Sequence, residues 1–206
     1  MSSEISSGGA TRGRPRSDQV DLAILRAASD LLAERGLDAM TIEDVAARAG
    51  VGKSSIYRRW PTKGTLALDA FLVDFLAQQP PVDNGALVDD LREALTLWSA
   101  AVVGTPTGRA LVGLVAEAQH DHDLARGWID RVVTPVREQH RVMVVRAIER
   151  GEIPVGSDVD VIMDLLYGAA YHRLLQGHLT ITPEFIELVA RMVAEGARSG
   201  GAIAPS

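Results

Sequence analysis

Residues 41–63 read TIEDVAARAGVGKSSIYRRWPTK, a stretch with the pattern of two short helices joined by a tight turn. Thr41 can cap the first helix, and Asp44 follows three residues later to complete a capping box. Gly50 can adopt the positive φ that ends this helix. Pro61 cannot continue the second helix, which therefore spans about two turns. The stretch predicts a helix-turn-helix.

The second of these helices divides its side chains between two faces. Ile56 and Trp60 are four positions apart, so both can point into a core. The outward positions carry hydroxyls, a phenol and cations, which can donate hydrogen bonds to the phosphates and base edges of a DNA major groove. The alternative is an ordinary surface helix that meets only water. The outward residues are Lys53, Ser54, Ser55, Tyr57, Arg58 and Arg59.

Residues 17–72 resemble the DNA-binding domain of the TetR family of bacterial transcriptional regulators. The resemblance lies in the order and spacing of Gly36, Thr41-Ile42, Val45-Ala46, Ala49-Gly50-Val51, Ile56-Tyr57, Trp60, Lys63 and Leu66. It implies that Lys53 begins the recognition helix and reaches a base. It also implies DNA contacts by a wider set of residues, namely Thr41, Lys53, Ser54, Ser55, Tyr57, Arg58, Arg59 and Lys63.

The resemblance assigns different partners to these residues. Tyr57 and Lys63 match positions that bind phosphates, whereas Arg58 and Arg59 match variable positions that touch backbone or base. One departure is Gly52, where the family often has serine or threonine as the cap of the recognition helix. A glycine cap costs only a few tenths of a kcal/mol. The departure therefore puts one phosphate contact in doubt, and not the fold.

The charge of the chain is unevenly distributed. The net charge is −6, but residues 1–64 have a balance of +2 and the remainder has a balance of −8. The acidic part would repel DNA and so favour one docking orientation. The chain has no cysteine, which excludes disulfides and thiolate chemistry and fits a cytoplasmic location. We expect neither a membrane span nor a secretory signal, because the apolar stretches are short.

The N-terminal residues 1–16, MSSEISSGGATRGRPR, have almost no apolar content and predict a disordered basic tail. Within it, Arg12, Arg14 and Arg16 alternate with glycine and proline, as in the core of an AT-hook. Such arginines can enter a narrow A·T-rich minor groove. The alternative, given equal weight, is a solvated tail that meets phosphates without sequence preference.

Helical periodicity and capping signals continue to the C-terminus and predict an all-α fold of about nine helices. A helix-turn-helix domain (17–64) follows the tail (1–16), and the fourth helix joins it to a C-terminal helical domain for ligand binding and dimerisation (65–206). The predicted helices are 17–35, 41–50, 53–60, 63–79, 84–103, 105–120, 121–150 with a kink at Pro135, 157–176 with a Ser157–Asp160 capping box, and 182–198.

The last two predicted helices are apolar on more than one face, although a surface helix needs only one apolar stripe. The expected second partner is another copy of the chain, in a four-helix interface about a two-fold axis. The alternative is the core of a monomer. The resemblance also implies pairing of these helices, and two recognition helices one DNA turn apart need a palindromic operator. The predicted interface residues are Ile162, Leu166, Ala169, Ala170, Phe185, Leu188 and Met192.

The resemblance further implies that a small-molecule effector binds within the C-terminal domain. An apolar pocket with a few placed polar groups is the usual design of such sites. Bulky or polar residues among the aliphatic ones are candidates, and for each of them the alternative is a place in the core. The candidates are Trp98, Gln119, His120, Trp128, Tyr167, Tyr171 and His172.

Other chemistry has little support in the sequence. His120-Asp121-His122 could suggest a metal site, but these residues fall at a helix junction, where they more often cap or face solvent. The sequence has no glycine-rich phosphate loop, so we expect no catalytic residue and no cofactor. The predicted function is a homodimeric repressor that an effector releases from DNA. The rivals are an activator, an architectural DNA protein using the arginine tail, and an enzyme or metal protein.

Overall fold

The computed structural model describes residues 14–200, and within that range every regular element is helical. A 3-10 turn (Leu76–Gln78) follows the fourth helix, and a π-helical turn (Ile129–Val133) joins the seventh to the eighth. If that joined pair is counted as one bent helix, the described range has the nine predicted helices. The helices are α1 (Arg14–Ala39), α2 (Ile42–Ala49), α3 (Lys53–Tyr57), α4 (Lys63–Phe75), α5 (Leu87–Val102), α6 (Pro106–Ala118), α7 (His122–Trp128), α8 (Thr134–Glu149), α9 (Val159–Gln176) and α10 (Pro183–Ser199).

Helix α1 differs from its predicted bounds at both ends. It begins at Arg14, so the last three residues of the predicted tail are helical, which is possible because proline is tolerated in the first helical turn. Helical geometry is interrupted at Gly36, with φ 76° and ψ 174°, before a last turn that reaches Ala39. Gly36 therefore stops the first helix as predicted. The buried side chains of Ile24, Leu31 and Leu32 form the predicted apolar stripe.

Helix α4 belongs to both halves of the molecule. Thr62 caps it in a reciprocal capping box with Thr65. One side of α4 packs against α1, and other parts contact α6 and α7. Its α-helical geometry ends at Phe75, one 3-10 turn before the predicted end near Gln79. Because α4 begins directly after the helix-turn-helix and ends in the C-terminal core, it connects the two parts mechanically.

The predicted helix 121–150 contains its irregularity one turn earlier than expected. The π-helical turn Ile129–Val133 precedes Pro135, which lies in the first turn of α8. Proline has no N–H to donate to the preceding turn, so the ladder of hydrogen bonds is disturbed on its N-terminal side. The bend is therefore a π-helical turn before Pro135 and not a kink at that residue.

The caps of the last helices are partly as predicted. Thr105 and Thr182 cap α6 and α10, each followed by proline. The capping box predicted for α9 is wrong, because Asp158 caps this helix by accepting from the backbone N–H groups of Asp160 and Val161. Ser157 instead donates its hydroxyl to the carbonyl oxygen of Pro154 at 2.7 Å. A carboxylate beside a hydroxyl is an equally good cap, and spacing alone does not choose between them.

The C-terminal half is a helical bundle around α5. Helix α5 contacts α10 most extensively and also touches α6, α8 and α9. Its inner face buries Leu91, Leu95 and Trp98. Between residues 14 and 200, no single helix has the length and hydropathy of a membrane span. Helices α5 and α6 taken together have that length and composition, but the pair is bent by 90°.

Candidate nucleic-acid interface and candidate ligand cavity

Helices α2 and α3 form the predicted helix-turn-helix. The Thr41 hydroxyl accepts from the backbone N–H of Asp44 at 3.1 Å, so Thr41 caps α2 as predicted. The predicted capping box is not completed, because the Asp44 carboxylate lies 3.3 Å from Arg35 instead. Gly50 has φ 67° and ψ 33°, the left-handed conformation expected at the end of α2. Gly52 precedes α3 as a cap without a side-chain hydrogen bond. The turn between the helices thus has the geometry that its sequence predicts.

The short helix α3 is held from behind by two buried side chains. Ile56 is fully buried, and Trp60 is 6% exposed. The indole N–H of Trp60 donates to a carboxylate oxygen of Asp69 on α4 at 2.8 Å. Helical hydrogen bonding continues past the α-helical segment, since the N–H of Trp60 donates to the Ile56 carbonyl. Packing and this side-chain bond fix the position of α3, because five residues are too few for a helix stable alone.

The opposite face of α3 is open to solvent. Lys53, Ser54 and Arg58 are exposed, and Tyr57 is 50% exposed, whereas Ser55 is half-buried. The Lys53 ammonium lies 2.8 Å from Glu43, and this bond raises the pKa of Lys53. Both partners are more than half exposed, so the pair is weak and can exchange for another anion.

Besides Lys53, two more of the predicted DNA-binding cations have partners within the protein. Arg59 is half-buried and forms an ion pair with Asp21 on α1. The Lys63 ammonium donates to the backbone carbonyls of Leu37 at 3.0 Å and Asp38 at 3.3 Å. Lys63 thereby ties the end of α1 to the start of α4, a role that the sequence did not indicate. Its predicted phosphate contact stays a prediction.

The arginine tail cannot be placed against this face. Arg12 and the side chains of Arg14 and Arg16 lie outside the described residues. Helix α1, which begins at Arg14, packs against α2 and α4. The minor-groove contact of the tail arginines, and its alternative of contacts with phosphates alone, stay predictions.

The C-terminal bundle encloses a cavity of about 430 Å³. Four of the seven candidate ligand-binding residues line it, namely Trp98, Trp128, Tyr167 and Tyr171. The volume lies within the usual range of small-molecule sites, roughly 300–1,000 Å³. The remaining wall is largely aliphatic and is formed by Phe75, Val115, Val132, Val133, Val136, Arg137, Asp164 and Gly168.

The other three candidates do not line this cavity, and a role for them in ligand binding stays a prediction. Gln119 and His120 are exposed just beyond the end of α6, where the Gln119 side chain donates back to the Val115 carbonyl at 3.1 Å. His172 is exposed on α9, with its ring 4.9 Å from that of His178. Sequence identifies a polar residue near an apolar run, but it does not show on which side of the bundle that residue faces.

Sequence reasoning missed His140, which lies behind the cavity wall. It is 1% exposed, and its Nδ1 lies 2.7 Å from the hydroxyl of Tyr167. Burial lowers the pKa of His140 to about 4, and burial also raises the pKa of Tyr167. The signal that could have found it is its place in an apolar stripe, four residues after Val136 and four before Val144.

A second missed feature is a compensated charge cluster at the cavity. The Arg137 guanidinium lies 2.6 Å from Asp164 and 3.0 Å from Asp160. These hydrogen bonds, the one to Asp164 first, raise the pKa of Arg137. Because the arginine already has two carboxylate partners, it is not an unoccupied anion site.

The predicted dimer interface divides into two groups. Ile162, Leu166 and Ala170 are buried inside the protomer, so the prediction that they contact a partner is wrong. Ala169 and Phe185 are half-buried, and the Arg173 guanidinium lies 3.7 Å from the centre of the Phe185 ring. Four of the exposed apolar residues on these helices form what we call the α9–α10 face, namely Val161, Leu165, Leu188 and Met192.

The His120-Asp121-His122 segment has a structural role in the chain. Asp121 caps α7 by accepting from the backbone N–H groups of Asp123 and Leu124, both at 3.0 Å. Throughout the part of the chain that the structure describes, no three histidine, cysteine or acidic side chains are grouped so that they could hold a metal ion.

Comparison with known proteins covers both halves of the chain. Residues 24–70 match the family model described as bacterial regulatory proteins, tetR family, and residues 81–193 match the tetracyclin repressor-like C-terminal domain. An uncharacterized helix-turn-helix regulator of Bacillus subtilis, YdeS, is 36% identical over 80% of this chain and 82% of its own length. A DNA-binding transcriptional repressor TetR of Mycobacteroides abscessus is 30% identical over 81% and 85%.

A solved structure agrees with these sequence matches. The crystal structure of the TetR family transcription regulator SCO0332 superposes with a TM-score of 0.76 at 32% identity. The match covers 86% of this chain and 98% of that one, so it includes both the helix-turn-helix and the C-terminal bundle.

Proposed function

Because this chain belongs to the TetR family of bacterial transcriptional regulators, we propose that it is a homodimeric repressor that a small molecule releases from a palindromic operator. As a member of the family it is a helix-turn-helix transcriptional regulator and not an enzyme. The observation that carries the proposal is the donor-rich outer face of α3, which Ile56 and Trp60 hold from behind.

The proposed DNA contacts divide by the chemistry of their partners. Lys53 and Arg58, exposed at the two ends of α3, would reach base edges in the major groove. Tyr57 and Lys63 would bind phosphates, which fix the orientation of the protein without reading sequence. The proposed phosphate and backbone contacts further include Thr41, Ser54, Ser55 and Arg59, and those of the tail are Arg12, Arg14 and Arg16.

The proposed dimer would use the α9–α10 face. Its four apolar side chains are between 46% and 63% exposed on adjacent helices. An apolar patch of this kind is typical of a protein–protein contact, and closed two-fold dimers are the commonest assemblies. A second copy of the chain is the occupant that would also explain a palindromic operator, because it places two α3 helices in one assembly.

The proposed effector site is the cavity lined by Trp98, Trp128, Tyr167 and Tyr171, which we call the aromatic cavity. Its wall is connected to the DNA-reading half. The π-helical turn that supplies Val132 and Val133 also carries Arg131, which forms an ion pair with Asp69 on α4. The same carboxylate accepts from Trp60, behind α3. A molecule that moves the π-helical turn would therefore displace α4 and α3. It changes operator affinity only if it binds the two arrangements unequally.

Selection of bound fragments from random DNA by the purified full chain tests the DNA part of the proposal. We expect a palindrome whose half-sites lie about one helical turn apart. A single non-repeated site would refute the dimeric arrangement, and absence of any enriched sequence would refute sequence-specific binding. We place the protein in the cytoplasm, where a bacterial operator is accessible.

A variant lacking residues 1–16, and with them Arg12, Arg14 and Arg16, separates this function from that of an architectural protein using the arginine tail. The repressor proposal requires that the shortened chain selects the same sequence, with affinity reduced only by the lost phosphate contacts. If the sequence preference disappears with the tail, the architectural alternative is favoured.

A further inference from the structure

We propose that the molecule bound by the aromatic cavity is an uncharged, flat aromatic compound with a hydrogen-bond acceptor, and that Tyr171 recognises this acceptor. The inference rests on the function proposed above, since it names the class of effector for the same cavity. Three properties of the cavity wall support it. They are the shape of the aromatic groups, the balance of the charges, and a hydroxyl proton on Tyr171 that can be donated to a ligand.

The aromatic groups come from separate helices and surround one space. Trp98 on α5 lies with its ring 5.0 Å from Tyr171 and 6.1 Å from Tyr167, both on α9. Phe75 on α4 and Trp128 on α7 complete the aromatic part of the wall. Aromatic rings prefer offset-stacked or edge-to-face neighbours. A flat ring system can satisfy several of these neighbours at once, whereas a flexible chain cannot.

The charged groups of the wall argue against an ionic ligand. Arg137 and Asp164 are the charged residues among the described side chains that line the cavity, and they lie 2.6 Å apart. Arg137 is also 3.0 Å from Asp160. An anion would have to draw Arg137 away from two carboxylates, and a cation would have to draw Asp164 away from Arg137. Neither exchange provides a ligand charge with an unpaired partner, and moving that charge from water into an apolar cavity is costly.

The hydroxyl of Tyr171 favours ligands that carry a hydrogen-bond acceptor over ligands that lack one. The Tyr171 ring lies 5.0 Å from that of Trp98, and an indole N–H can only donate, so Trp98 cannot accept the Tyr171 proton. The hydroxyl proton is therefore left to point at a ligand. Burial raises the pKa of Tyr171 to about 12, so the proton is retained at neutral pH. By contrast, the Tyr167 hydroxyl is already engaged with His140.

Three compounds with the same flat tricyclic skeleton test the inference. Xanthone is uncharged and has a carbonyl acceptor, xanthene replaces that carbonyl with a methylene group, and xanthone-2-carboxylate adds an anion. Binding to the full chain is measured without DNA, by calorimetry and by quenching of tryptophan fluorescence. We expect xanthone to bind at least about threefold more tightly than xanthene. The carboxylate should bind at least about tenfold more weakly than xanthone, because its charge would lose water without gaining an unpaired cation.

The variant Tyr171→Phe removes the proposed donor and keeps the ring. It should weaken xanthone binding about threefold to tenfold and leave xanthene binding unchanged. Tyr57→Phe is the matched control, because this tyrosine lies on α3, outside the cavity, and should not alter the binding of either compound. Thermal unfolding of each variant confirms that it is folded, and the ligand series on the unchanged chain is an independent measurement.

Three results would overturn the inference. The first is tighter binding of the carboxylate than of xanthone. The second is an equal weakening of xanthone and xanthene binding in Tyr171→Phe. The third is no binding of any of the three compounds. None of these results touches the DNA part of the proposed function. A chain that selects a palindrome and binds none of the compounds would be a regulator with a different effector.

Discussion

The ammonium group of Lys63 has three N–H donors, and two of them are used within the protein. They bind the carbonyls of Leu37 and Asp38, in the last turn of α1. The third donor is the one that we propose binds a phosphate. The lysine thus holds the DNA-reading helices in place, and in our proposal it also contributes to DNA binding, so its removal should affect two different measurements.

We predict that Lys63→Ala lowers both the stability of the fold and the salt dependence of DNA binding. Loss of the two hydrogen bonds should reduce the free energy of unfolding by about 1–3 kcal/mol, as measured with urea. Loss of one phosphate contact should reduce the slope of log affinity against log salt by about 0.9. Arg126→Ala removes an exposed cation on α7 and is the control for both. An unchanged salt slope would exclude the phosphate contact, even if stability falls.

His140 links stability to pH, because it is buried in its neutral form. Its pKa in the folded protein is about 4, owing to burial, whereas the unfolded chain has the ordinary value of about 6.5. Between these values the unfolded chain binds more protons, so the free energy of unfolding falls as the pH is lowered. The stability is fully present above pH 6.5 and is lost progressively towards pH 4.

We predict that the chain loses about 2 kcal/mol of stability between pH 7 and pH 5 through His140. His140→Asn removes the titrating group and keeps an acceptor for the Tyr167 hydroxyl, so urea unfolding should show a flatter pH dependence over this interval. His120→Asn replaces an exposed histidine and should leave the dependence unchanged. Equal pH slopes in the His140 variant and the unchanged chain would show that His140 is not the group responsible.

At the scale of elements, α4 and α7 are close enough to move together. A methyl group added at Gly64 on α4 would lie 3.0 Å from Leu124, and one at Gly127 on α7 would lie 3.1 Å from Leu68. Beyond this contact, the Asp69 carboxylate binds Arg131 with one oxygen and Trp60 with the other. A shift of the cavity wall that moves Arg131 would therefore also move Trp60, which supports α3, because both bind the Asp69 carboxylate.

We predict that Asp69→Asn weakens the response to a cavity ligand more than it weakens DNA binding. Only one of the two asparagine atoms can accept, so Trp60 or Arg131 loses its partner. With xanthone as the probe, the ligand-induced change in operator affinity should fall about tenfold, a loss of about 1.4 kcal/mol of coupling. Operator affinity without ligand is measured in the same titration. Asp130→Asn, on the same π-helical turn as Arg131, is the control, and similar responses in both variants would refute the connection.

The elements that were predictable from sequence are those with strong local signals. Thr41, Thr62, Thr105 and Thr182 cap their helices as expected, because a cap is a bond between residues two or three positions apart. The helix-turn-helix was predictable for the same reason. The choice of Asp158 over Ser157 was not, since both side chains could accept the bond and the loop before them decides which one does.

The faces of the C-terminal helices were not predictable, and this limited the prediction of the sites. Helix α9 is apolar nearly all round, so periodicity could not separate Leu166 in the core from Leu165 on the surface. The four aromatic candidates line the cavity because large rings fill the centre of a bundle. His140 and the Arg137 cluster depend on contacts between α8 and α9, which sequence spacing does not give.

At the scale of the whole molecule, the distribution of exposed apolar groups favours a two-fold assembly. Leu165 is 57% exposed and Met192 is 63% exposed, although the protomer has an extensive core elsewhere. Neither side chain contributes much to that core, so a charge at either position should leave the protomer folded. In a dimer built on the α9–α10 face, the same charge would be removed from water and would lack a partner, which is strongly unfavourable.

We therefore predict that Leu165→Glu or Met192→Glu converts the dimer to a folded monomer. Each should raise the dimer dissociation constant by at least about a hundredfold, which corresponds to about 2.7 kcal/mol, as measured by sedimentation equilibrium. Affinity for a palindrome should fall, because two half-sites would bind separately, whereas affinity for an isolated half-site should be unchanged. Val142→Glu changes an apolar residue on α8 that is 44% exposed and should keep the assembly intact. If all three variants assemble alike, the α9–α10 face is not the dimer contact, and the pairing of the two α3 helices must be sought on another surface.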